Sequence, residues 1–187
     1  MEKLVIEGGR PLQGTIHVHG AKNAALPILA ASIMAEGTHM IRNVPNLLDI
    51  EVMLGILSAL GCRTEMRDER VMIDTSLINR WQIPEDLMGQ MRSSIFLMGP
   101  LLARFGQVTV TRPGGCAIGE RKIDLHLRGL EALGAKIQFE GGMIHCTADR
   151  LTGNDIMLDI PSVGATENIM MAAVKAEGRT IIRNAAC

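Results

Sequence analysis

The chain repeats itself, and the repeat fixes most of what it can fold into. An apolar helical pattern over residues 24–35 is stopped by Gly37 and followed by a strand pattern over 38–42. The same order returns over 93–105, Gly106 and 107–111, and again over 168–177, Gly178 and 179–183. The stop glycines lie 69 and 72 residues apart. Between them a second segment also recurs, residues 51–61 aligning with 124–134. Each copy of it leads into a hairpin, 62–66 with 71–73 and 136–139 with 143–146. Self-similarity at this period implies stacked helix–strand–helix–hairpin units with a shared core. The third copy stops at Cys187 before its second helix, so the chain reads as a piece of a longer protein, cut inside a repeat.

The two helix types imply where each sits. The helices before the stop glycines are apolar nearly all round, which predicts burial on every side. The other type is amphipathic, with Leu127, Leu130 and Leu133 opposite Arg128 and Glu131. The strands alternate, as in Val108-Thr109-Val110-Thr111, so one sheet face can meet water. The expectation is an α/β (α+β) fold with helices inside and sheets outside, around a rough three-fold axis, its third repeat incomplete. Pro27 fits a first helical turn, which puts the first helix start near Asn23 or Ala24. Residues 4–6 and 15–19 read as two short strands joined by a turn at 8–11.

Composition closes off several functions. Apolar residues make up 47 %, enough for a sizeable core, whereas aromatics are only 2 %, too few for base-stacking platforms. A net charge of −1 offers no general pull on polyanions, so no nucleic-acid partner is expected. The longest apolar run, 24–35, is too short for a membrane span, and the start has no secretory pattern. Cys62, Cys116, Cys146 and Cys187 show neither metal-ligand spacing nor a disulfide framework, which points to a reducing cytoplasm. The five histidines form no ligand pattern, so no metal is expected; there is no phosphate-binding loop of the nucleotide-hydrolysing kind either.

Chemistry concentrates in two places. The loop 111–121 carries Gly114, Gly115, Gly119 and Cys116, with Arg112 and Arg121 to favour a thiolate or poise a thiol for proton transfer. Each buried helix also opens on a cluster of small or polar residues: Gly20-Ala21-Lys22-Asn23, Met91-Arg92-Ser93-Ser94 and Ser162-Val163-Gly164-Ala165-Thr166. A pseudo-three-fold arrangement would gather these starts at one end, where free N–H groups and the helix dipoles attract anions. Asn23, Ser93 and Thr166 also have the composition of plain N-caps.

Taken in order, these clusters, Arg112-Pro113-Gly114-Gly115-Cys116-Ala117-Ile118-Gly119 and Ile123-Asp124-Leu125-His126 resemble the enolpyruvyl transferases over almost the whole chain. The resemblance implies an inside-out α/β barrel in a cytoplasmic enzyme of bacterial cell-wall synthesis, with no cofactor. Such an enzyme moves the enolpyruvyl group of phosphoenolpyruvate onto the 3′-hydroxyl of UDP-N-acetylglucosamine. It further implies that Cys116 protonates the methylene carbon and that epoxides such as fosfomycin alkylate it. Lys22, Asn23 and Arg121 would hold phosphoenolpyruvate. Arg92, Arg121, Lys122, Ile123, Asp124, Leu125, Ser162, Val163 and Gly164 would contact the sugar nucleotide. Lys122 stands where the family usually has proline. Family members are longer, so residues 1–19 would belong to a second domain that also holds the base and further arginines. Residues 20–187 would then be most of one domain. Two other readings stay open: the shikimate-phosphate branch of the family, which lacks the cysteine loop, and a non-catalytic sugar-nucleotide-binding fragment.

Overall fold

Residues 3–111 and 123–186 are described by the computed structural model, and the repeat governs its topology. In the first copy α1 (Lys22–Ala31) runs into a 3-10 turn and then β1 (Thr38–Arg42). After α2 (Leu48–Ala59), β2 (Arg63–Arg67) and β3 (Arg70–Asp74) form a hairpin. A short helix, α3 (Glu85–Met88), leads into the second copy. There α4 (Met98–Phe105) is followed by β4 (Gln107–Val110), α5 (Asp124–Ala132) and the hairpin β5 (Lys136–Glu140)–β6 (Met143–Thr147). The third copy holds β7 (Asp155–Met157), α6 (Val163–Ala173) and β8 (Ile181–Arg183).

Both complete copies build the same antiparallel sheet, in the orders β1-β3-β2 and β4-β6-β5. Their closures match atom for atom. Thr75 N–H donates to the Gly37 carbonyl at 3.0 Å, as Ala148 N–H does to Gly106 at 2.8 Å. Gly106 takes φ 69° directly after α4, where a Cβ would also lie 2.7 Å from the Ala148 oxygen, so glycine is needed there twice over. Inward positions Val71, Ile73, Val108, Val110, Ile144 and Cys146 join the core, while their neighbours along each strand face outward.

The expected amphipathic pattern is borne out for α5: Leu127 and Leu130 on it and Leu133 just after it are buried, with Arg128 and Glu131 exposed. The inner helices differ in detail from expectation. Helix α1 starts at Lys22, which places Pro27 in the second turn, where it has no N–H for the Asn23 carbonyl. The segment expected as one helix from 93 to 105 opens as a 3-10 stretch (Arg92–Leu97) and becomes α-helical only at Met98. This leaves Pro100 in the first α-turn, where no donor is required. Helix α6 starts five residues before its expected position, because Ser162 caps it by accepting from Ala165 N–H, and it ends at Ala173.

Two larger corrections concern edges. Residues 4–6 and 15–19 form no strand; Leu4, Val5, Ile6, Leu12, Ile16 and Val18 are all exposed, without the ladder partner that a strand requires. Burial of the inner helices on all sides holds for α4 from Met98 to Leu102 but not throughout α1 and α6, which leave Ile28 and Met170 exposed. Helix α4 packs against α6 so closely that a Cβ at Gly99 would lie 2.3 Å from the Asn168 main-chain oxygen. At the far end of α4, Arg104 donates to the carbonyls of Ile33 and Thr75, tying the second copy to the first.

Candidate functional site

Starts of the three inner helical segments converge on one cavity of about 420 Å³. The first copy gives Asn23, the second Arg92, Ser93, Ile95 and Phe96, and the third Ser162, Val163, Gly164 and Glu167; His126 from α5 closes the wall. None of the three suspected N-caps acts as one. Asn23 and Thr166 lie within their helices and Ser93 within the 3-10 stretch, while the cap positions are Ala21, Met91 and Ser162. Asn23 and Ser93 line the cavity. Thr166 instead accepts from the Ala186 N–H at 3.2 Å.

Electrostatics favour anions here. The first N–H groups of α1 and α6 have no intrahelical acceptor, and Arg92 adds a full charge to the same wall. On the opposite account, Glu167 lines the cavity with one buried carboxylate oxygen that meets no donor among the described residues. Burial pushes its carboxyl above the ordinary carboxylate value.

His126 is only 3 % exposed, and burial, with Arg92 nearby, pulls its imidazole down to about 4 against the weaker opposing effect of Asp124. The folded ring thus binds its proton more weakly than the unfolded one. Stability from this group is undiminished above pH 6.5 and is lost as the pH falls towards 4, by about 3 kcal/mol in total. Urea unfolding of the chain at pH 7 and pH 4.5 should show this acid loss, and His126→Gln should reduce it. An unchanged pH 7-to-4.5 difference in the variant would contradict the assignment.

The other expected site residues divide into two groups. Lys22 stands at the first position of α1 and pairs with Asp49 of α2, Nζ to Oδ2 at 2.5 Å. Ile123, Asp124 and Leu125 form the entry to α5; among the described residues the cavity wall takes their neighbour His126 in their place. Cys116, Arg121 and Lys122 lie outside the described residues. The two buried thiols are a poor source of reactivity: burial raises Cys62 to about 11 and Cys146 to about 12.

Sequence reasoning missed Asp49, His126 and Glu167. His126 carried a signal, a polar residue between Leu125 and Leu127 on the apolar face of α5. Glu167 is the one charged residue of α6, three positions after Gly164. Asp49 had no local signal, since its partner is 27 residues away.

Inner helices and outer hairpin sheets frame one cavity at the helix starts. The family described as EPSP synthase (3-phosphoshikimate 1-carboxyvinyltransferase) matches residues 6–187, and the chain belongs to that family. Among its relatives, UDP-N-acetylglucosamine 1-carboxyvinyltransferase 2 of Carboxydothermus hydrogenoformans is 54 % identical over 186 residues, covering 100 % of this chain and 44 % of that protein. The UDP-N-acetylglucosamine 1-carboxyvinyltransferase of Acinetobacter baylyi is 51 % identical over 187 residues, 100 % of this chain and 45 % of its own length. The chain thus spans less than half the length of these relatives. The crystal structure of the enolpyruvyl transferase NikO from Streptomyces tendae superposes with a TM-score of 0.79 at 23 % identity, over 94 % of this chain and 41 % of that one. That likeness establishes the inside-out α/β fold of the enolpyruvyl transferases.

Proposed function

We propose that this chain is the larger part of one domain of a two-domain cytoplasmic enzyme making peptidoglycan precursors. The reaction transfers the enolpyruvyl group of phosphoenolpyruvate to the 3′-hydroxyl of UDP-N-acetylglucosamine. The observation that carries this reading is the gathering of Asn23, Arg92, Ser162, Val163 and Gly164 at one cavity, since two polyanionic substrates need converging donors and cations. Identity of 50–54 % to proteins named for that acceptor favours it over shikimate 3-phosphate.

In the first step the 3′-oxygen bonds to C2 of phosphoenolpyruvate while the Cys116 thiol gives its proton to C3. The hydroxyl proton passes to a base outside this chain. In the second step C3 returns a proton to the Cys116 thiolate, the C2–O bond to phosphate breaks and the double bond re-forms, releasing inorganic phosphate and restoring the thiol. Lys22, Asn23 and Arg121 hold phosphoenolpyruvate. Arg92, Arg121, Lys122, Ile123, Asp124, Leu125 and Ser162 to Gly164 hold the sugar nucleotide. The Lys22–Asp49 pair keeps the ammonium extended at the start of α1 until the more highly charged substrate arrives.

Residues 1–19 belong to the second domain, a reading supported by the exposed Leu4, Ile6, Ile16 and Val18, which have no sheet to join. A cleft between two domains loses much of its positioning when one is absent. The 187-residue chain alone should therefore release no phosphate from phosphoenolpyruvate and UDP-N-acetylglucosamine, whereas the full-length protein carrying it should. Turnover by the isolated chain, beyond that of a mock purification, would refute the two-domain reading.

A further inference from the structure

Among the described residues, the most completely buried polar group on the cavity wall is His126, and the contacts behind it fix which nitrogen carries its proton. The Gly99 main-chain N–H donates to Asn168 Oδ1 at 2.7 Å. A main-chain N–H can only donate, so the amide oxygen must face α4 and the amide nitrogen must face the other way. That nitrogen lies 3.1 Å from His126 Nδ1, with Asn168 fully buried. Nδ1 must accept, and in a neutral ring the proton then sits on Nε2. The Cε1–Nε2 edge lies against the start of α6: a Cβ built on Gly164 would be 3.3 Å from Cε1 and 3.6 Å from Nε2. Among the described residues no acceptor is hydrogen-bonded to Nε2.

We propose that His126 is a fixed neutral donor whose Nε2–H bonds to an anionic oxygen of the sugar-nucleotide diphosphate at the start of α6. Asn168, held by Gly99, acts as the positioning residue that imposes this tautomer. The proposal rests on the function inferred above. The charged groups around the ring fit the role. Arg92 from the 3-10 stretch opposes protonation, Asp124 at the start of α5 favours it, and Glu167 of α6 lines the same cavity; α4 contributes only Gly99. Burial is the larger effect and Arg92 adds to it, so the ring stays neutral at working pH and serves as a donor without a titrating charge.

The test measures UDP-N-acetylglucosamine affinity by calorimetry on the full-length protein. His126→Gln places an amide donor near the Nε2 position and should bind within about threefold of the parent; His126→Asn cannot reach and should bind about tenfold or more weakly. In steady state the KM for UDP-N-acetylglucosamine should rise in the Asn variant by about the same factor as its Kd while the Gln variant stays near the parent, a substrate-specific rescue that general destabilisation does not produce. Asn168→Asp keeps the Gly99 bond but presents only an acceptor to Nδ1, so Nε2 donates only while the ring is protonated. Relative to the parent, that variant should lose about tenfold in affinity between pH 6 and pH 8.5. Equal binding by the Gln and Asn variants, or an Asn168→Asp profile parallel to the parent's, would overturn the proposal and leave the function standing. A parent that does not bind UDP-N-acetylglucosamine would overturn both.

Discussion

Cys116→Ser in the full-length protein is expected to lose about 10²- to 10⁴-fold in turnover, the range spanned by a single positioned proton donor. The step asks for a proton on carbon, and an alcohol is a far weaker acid than a thiol. Cys116→Asp should retain measurable turnover, because a carboxylic acid can also give up a proton. It must be protonated to do so, so its activity should rise as the pH falls towards the carboxyl pKa. The same residue should dominate thiol labelling by fosfomycin. Cys62 and Cys146 are buried, with thiols raised to about 11 and about 12, and almost no thiolate is present at neutral pH. Steady-state turnover from pH 5.5 to 8.5, with mass-spectrometric mapping of the alkylated cysteine, reads both expectations. A fully active Ser variant would remove Cys116 from the proton transfer, and equal labelling of all cysteines would remove its special reactivity.

Gly99→Ala should be a strongly damaging single-methyl change in the described core. The added carbon would lie 2.3 Å from the Asn168 main-chain oxygen and 2.7 Å from its side-chain oxygen, distances no Cβ tolerates. Relief requires α4 and α6 to move apart, which costs packing along both helices and stretches the hydrogen bond from Gly99 to Asn168. A loss of about 3 kcal/mol is expected by urea unfolding. Gly55→Ala is the matched control. That glycine lies within α2, where the nearest atoms to a new Cβ are the Leu87 methyls at 3.9 and 4.0 Å, so helix propensity should make the change neutral or mildly stabilising. Similar effects from the two substitutions would mean that the α4–α6 contact is not the close approach described.

Much of this architecture was legible because the chain states its pattern more than once. Gly37 and Gly106, with the two hairpins, located the sheets to within a residue or two, and the polarity of residues 124–134 gave the buried face of α5. Helix starts were harder to read, because they depend on which group satisfies the first N–H donors. Ser162, not Thr166, caps α6, and the 3-10 stretch from Arg92 follows from the spacing of Pro100. The strands expected at 4–6 and 15–19 failed for a different reason: alternation shows that a segment can pair, and says nothing of whether a partner is at hand. In the candidate site, the charged and small residues at the helix starts were visible as clusters. The contacts behind them were not, since Asn168 meets Gly99 across 69 residues and His126 across 42.

The most direct test of the account is the identity of the acceptor. Full-length protein would be incubated with phosphoenolpyruvate and an equal mixture of UDP-N-acetylglucosamine and shikimate 3-phosphate, with products followed by mass spectrometry and released phosphate measured in parallel. The account predicts one enolpyruvyl unit on UDP-N-acetylglucosamine for each phosphate released, with shikimate 3-phosphate unchanged. Enolpyruvyl transfer to shikimate 3-phosphate, or no transfer to either acceptor, would contradict it.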